Sequence, residues 1–207
     1  MVIDSRKNHK LSAIFAGLIF VMLGSLDSMD STAITTFNRL IYRQLQLFDN
    51  RYLLMINKIS MTFSSWIFFI IYLVIMLLII SARQKRLLAS WMLITSITGM
   101  LLLIMFQLGI SGSNMADLSA ITRFPATHVF LMTLIIYFIN IACRSVITSA
   151  RGIVFLKSIS VLVLVITALS EINLHITNGS GVIGALLLSY CWIQAMEQMY
   201  VSYFKLE

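Results

Sequence analysis

Proline is nearly absent from this chain: Pro125 is the single one in 207 residues. Cysteine is nearly as scarce, and the two present, Cys143 and Cys191, fall within or at the end of apolar runs without C-x-x-C spacing. That excludes a disulfide framework and a cysteine metal site. Charge is thin too, at 11% of residues against 59% hydrophobic, with a mean hydropathy of +0.94. Such a composition excludes an ordinary soluble protein and identifies an integral membrane one. No internal repeat, low-complexity tract or linker divides it, so one membrane domain spanning residues 1–207 is expected.

Long apolar runs fill the space. A bilayer core of about 30 Å takes about 20 residues of helix, and six runs qualify as spans: about 11–26, 60–81, 87–110, 128–143, 153–171 and 180–200. Continuous runs, rather than alternating segments of about ten residues, favour helices over a barrel. The expected fold is all-α: a polytopic bundle of six transmembrane helices.

Lys and Arg outnumber Asp and Glu by 15 to 8. The basic residues cluster at the edges of apolar runs, so they set topology and touch anionic lipid instead of nucleic acid. Arg6, Lys7, Lys10, Arg83, Lys85, Arg86, Arg144, Arg151, Lys157 and Lys205 fall on one side of six spans; Arg39, Arg43, Arg51, Lys58 and Arg123 fall on the other. Both termini are therefore expected in the cytoplasm. Basic residues before the first run and Gly24 and Ser25 after it also fit a cleaved signal peptide, although no A-x-A site is present.

Between the first two spans, STAITTFNRLIYRQLQLF (residues 31–48) carries Ile34, Phe37, Ile41, Leu45 and Phe48 at steps of three or four. Thr35, Arg39, Arg43 and Gln46 lie on other faces. This pattern predicts an amphipathic helix, lying in the outer interface or packed over the bundle, with a structural role.

The hexapeptide RFPATH, residues 123–128, interrupts the apolar pattern with an arginine, the proline and a histidine. His128 opens the fourth span, and His175 lies in the short loop before the sixth, on the same non-cytoplasmic side. Two histidines without cysteines or a carboxylate shell fall short of a metal site. They do suit phosphoryl transfer, in which one imidazole attacks phosphorus and another protonates the departing alkoxide. Pro125 suits the first turn of a helix, so the amides of Ala126, Thr127 and His128 are candidates for part of a phosphate cradle.

These residues resemble the type 2 phosphatidic acid phosphatase superfamily, membrane lipid phosphatases and phosphotransferases with a six-helix core. Of its three signatures, Pro-Ser-Gly-His is approximated by Pro125, Ala126, Thr127 and His128. The histidine of the third is approximated by His175 in SEINLHITNGSG. The other positions depart: Gln107 stands at the lysine of the first signature and Asn114 and Met115 at its Arg-Pro. Ala168 and Leu169 stand at the Ser-Arg of the third, and Gly179 or Ser180 at its aspartate.

The resemblance implies His175 as nucleophile and His128 as general acid, acting without a cofactor on phosphatidate, a polyprenyl diphosphate or a lipid A phosphate. It places the chain in a bacterial inner membrane, with the site on the periplasmic or extracellular face. Arg123, with Arg51 and Lys58 on the same side, is the candidate replacement cation, and Glu171, four residues before His175, the candidate to orient that imidazole. Their structural readings are a headgroup contact for Arg123, snorkelling for Arg51 and Lys58, and an interfacial cap for Glu171. The alternatives are a noncatalytic relative that binds lipid or a membrane protein, and a proton relay through His128, His175 and Glu171.

Overall fold

The computed structural model describes residues 7–29, 31–46, 50–110, 124–144 and 149–204. Among the described residues the chain is wholly helical: α1 (Lys7–Ser28), α2 (Thr32–Gln46), α3 (Arg51–Phe63), α4 (Trp66–Ala82), α5 (Arg86–Ile110), α6 (Thr127–Arg144), α7 (Ala150–Asn173) and α8 (Gly179–Phe204). In lipid each backbone N–H and C=O must find its partner within the segment, which is why the apolar runs coil. α1, α5, α7 and α8 are each long and apolar enough to cross a membrane. The outward face of α7, with Val154, Phe155, Val161 and Leu162 all exposed, is suited to lipid, and the protein is an integral membrane protein.

Hydrogen bonds between helices define the two ends of the bundle. At one end the Ser12 and Tyr190 hydroxyls lie 2.7 Å apart, Trp91 Nε1 donates to the Met196 carbonyl at 3.0 Å, and Tyr137 donates to Glu197 at 2.5 Å. The other end gathers the C-termini of α1, α5 and α7 with the N-termini of α6 and α8. There Ser180 Oγ donates to Asp27 Oδ1 at 2.7 Å, and Ala126 N–H donates to the Gly181 carbonyl at 3.0 Å. α6 runs through the middle, packed against α4, α7 and α8, with Val129, Phe130, Leu131, Leu134 and Phe138 buried.

Two expectations need correction. The second span is broken: α3 and α4 meet at an angle of 55°. At the junction Ser64 bonds back to the Ser60 carbonyl through both its N–H and its hydroxyl, the latter at 2.8 Å. Ser65, with φ −69° and ψ 160°, starts α4 from an extended conformation. Paired serines compete for backbone partners and are a common cause of such kinks. α3 itself was unforeseen because its inward face is polar: the buried Asn57 accepts from Ser170 Oγ at 3.0 Å. A hydropathy pattern does not register a helix that packs through amide and hydroxyl groups. The expected amphipathic helix is α2, with Ile34 buried and Ile41 and Leu45 against the core; Leu47 and Phe48 lie outside the described residues.

Candidate active site

His128 is presented by the turn that opens α6. Pro125, expected in the first helical turn, lies two residues ahead of α6, and the Ala126 N–H is taken sideways by the Gly181 carbonyl of α8. The Ala126 amide therefore does not join a phosphate cradle. Gln107, at the end of α5, clamps the same turn, donating to the Pro125 carbonyl at 3.0 Å and to Thr127 Oγ1 at 2.7 Å. A neutral amide thus holds the turn's shape.

Phe124 anchors the turn from below, stacked on Phe20 with centroids 5.6 Å apart. It lies in a slot between two glycines. A Cβ at Gly184 would fall 2.5 Å from Phe124 Cζ, and one at Gly24 would fall 3.2 Å from its Cε1. Gly184→Ala is expected to lower stability by about 1–3 kcal/mol through overpacking, measured as a drop in thermal midpoint in detergent; an unchanged midpoint would show that the ring has room to shift.

Glu171 ties this turn to α7. Its carboxylate is fully buried, with one oxygen 3.2 Å from His128 Nδ1 and the other accepting from Val129 N–H at 3.3 Å. Glu171 was expected to orient His175; its carboxylate sits on His128 instead. The side chain of a residue near a helix end projects toward the turn before it, away from the loop that carries His175. His128 keeps 20% of its side chain exposed, so Nε2 is the nitrogen left for chemistry.

His175 occupies the position just past the C-terminus of α7. Ile176 N–H reaches the Glu171 carbonyl and His175 N–H reaches that of Ile172, each at 3.0 Å, the pairing of a Schellman turn. That turn needs a left-handed residue where glycine is usual, and His175 supplies it with φ 57°. The strain is of order 1–3 kcal/mol and is the kind retained at working sites. Glu171 thus holds both histidines, His128 by its carboxylate and the His175 turn by its carbonyl.

Three residues were not foreseen at this end. Tyr42 of α2 places its hydroxyl 2.6 Å from His175 Nε2, and Gln46 donates to that hydroxyl at 2.8 Å. Asn38 exchanges two bonds with Ser180: its Nδ2 donates to Oγ at 3.1 Å, and its Oδ1 accepts from N–H at 2.9 Å. The four-residue spacing of Asn38, Tyr42 and Gln46 along one helical edge was the available signal, since polar tips at such steps share a side. Arg123, like Asn114 and Met115, lies outside the described residues. Arg51 and Lys58 are exposed on α3, and neither contacts the histidines.

No family model and no curated protein matches the sequence. In shape, the chain is similar to the crystal structure of a transmembrane PAP2-type phosphatidylglycerolphosphate phosphatase from Bacillus subtilis. The TM-score is 0.74 at 16% sequence identity, over 93% of this chain and 97% of that one. An all-helical membrane bundle that agrees over nearly its whole length has the fold of the PAP2-type membrane phosphatases.

Proposed function

We propose that the chain is a divergent member of the type 2 phosphatidic acid phosphatase superfamily, a lipid phosphatase or phosphotransferase acting on a phosphorylated lipid. The observation that carries this reading is the joining of His128 and the His175 turn through Glu171 at one end of a PAP2-type bundle. In the proposed reaction Nε2 of neutral His175 attacks phosphorus, and the bond to the lipid oxygen breaks as His128 Nε2–H protonates it. Water or an acceptor hydroxyl, deprotonated by His128, then takes the phosphoryl group from the phosphohistidine and restores both imidazoles. No cofactor enters this scheme. Thr127 and His128 begin α6, so their amides lack helical acceptors and suit an anion; Arg123 is the nearest cation in sequence.

The substrates that suit this chemistry are phosphatidate, phosphatidylglycerol phosphate, a polyprenyl diphosphate and a lipid A phosphate. Counting α3 with α4 as one bent span and α6 as a short one gives six crossings. Both termini then lie in the cytoplasm, with the site and α2 at the outer interface of a bacterial inner membrane and the opposite basic loops against anionic lipid. Purified protein in mixed micelles should release phosphate from, or exchange the headgroup of, at least one of the four lipids. Folded protein inert toward all of them would overturn the reading. That result would favour a noncatalytic lipid-binding relative, which the Tyr42 hydroxyl on His175 Nε2 also fits.

A further inference from the structure

α2 reads from its sequence as a structural helix, yet its polar edge enters the site. The Tyr42 hydroxyl is 2.6 Å from His175 Nε2, and the two rings are tilted by 51° to each other, centroids 4.4 Å apart. Gln46, one turn on, donates to the phenol oxygen at 2.8 Å. An oxygen that accepts one hydrogen bond donates a stronger one. We take the chain in the direction from Gln46 N–H to Tyr42 O–H to His175 Nε2. In that direction Nε2 is the acceptor and Nδ1 carries the proton, which is the tautomer a nucleophile at Nε2 requires. The same contact fills the lone-pair direction. A phosphorus atom at a near-attack distance of about 3–3.5 Å cannot share it with the phenol oxygen.

Resting on the phosphoryl-transfer reading, we propose that Tyr42 is a positioning residue with two states. While the site is empty it sets the tautomer of His175 and caps Nε2; when a lipid phosphate enters, its O–H turns onto a nonbridging phosphoryl oxygen. No covalent bond changes at Tyr42, because one hydrogen bond replaces another. The donor then acts where the resembling family places cations. Arg39 and Arg43, exposed on the same helix three residues before and one after Tyr42, add positive charge beside it. α2 is fastened separately by the buried Ile34 and by Asn38 on Ser180, so Tyr42 can change partners without the helix leaving.

Diethyl pyrocarbonate, which acylates unprotonated imidazole nitrogen, tests the cap on the full chain in detergent, with peptide mass spectrometry reading His175 and His128 separately. Tyr42→Phe keeps the ring and should raise modification of His175 by at least about fivefold, leaving His128 within about twofold, as expected when one neutral hydrogen bond is lost. Gln46→Leu should raise it by a smaller factor. An unchanged rate at His175, or an equal rise at both histidines, overturns the cap. This measurement stands whether or not any lipid is turned over, so its failure is distinct from failure of the enzyme reading. On a lipid that is turned over, Tyr42→Phe should lower kcat about 100- to 1000-fold, the effect of losing one oxyanion donor, with KM unchanged or lower. An unchanged kcat overturns the transfer to the phosphoryl oxygen.

Discussion

Replacing His175 with alanine is expected to lower phosphate release by at least about 10⁴-fold, since no second nucleophile stands ready to form the covalent intermediate. The fold should survive, because the imidazole is exposed and, among the described residues, its side-chain hydrogen bond is to Tyr42. Glycine at the same position sharpens the test. At φ 57° a residue without Cβ relieves a backbone cost of about 1 kcal/mol. His175→Gly should therefore melt higher than the unaltered protein while being equally inactive. That opposition separates a residue kept for chemistry from one kept for the turn. Activity that survives either substitution would sink the mechanism; a glycine variant that melts lower would show that the imidazole's contacts outweigh the strain.

The bundle was legible in the sequence because lipid imposes one rule on every crossing segment, that its backbone be satisfied internally, and apolar runs announce it. The ends of α5, α7 and α8 followed from that rule to within a few residues. The broken second span did not, since Ser64 and Ser65 redirect the chain through backbone bonds that hydropathy does not weigh. His128 and His175 were visible as rare titratable groups in an apolar chain, and their shared end followed from counting spans. The identity of their partners was not visible. Whether the Glu171 carboxylate meets the histidine four residues on or the one 43 residues back depends on how α6 packs against α7, a tertiary fact. Tyr42 was hidden for a related reason: on an amphipathic helix a tyrosine at the edge of the apolar face reads as an anchor until the neighbouring turn is in place. The Ala126 amide was misjudged because its partner, Gly181, lies on a different helix.

Glu171→Gln is expected to reduce turnover about 100- to 10,000-fold, the range for loss of an effective general acid, with the fold retained. The reason is donor counting. In the protein the two carboxylate oxygens face two donors, His128 Nδ1–H and Val129 N–H. A glutamine of the same shape offers one oxygen and one NH₂, so it satisfies one donor and opposes the other. If its oxygen keeps Val129, the NH₂ faces Nδ1 and forces it to be an acceptor. An imidazole so held cannot carry protons on both nitrogens, and His128 then loses the form that protonates a leaving alkoxide. The unmatched donor should cost about 1–3 kcal/mol of stability, read from the thermal midpoint. A double-mutant cycle with His128→Ala decides how the residue acts. If Glu171 works through His128 alone, adding Glu171→Gln to His128→Ala should change turnover by no more than about twofold. A full second loss in that background would mean that the carboxylate serves His175 or the substrate directly, which would return it to the role its spacing from His175 first implied.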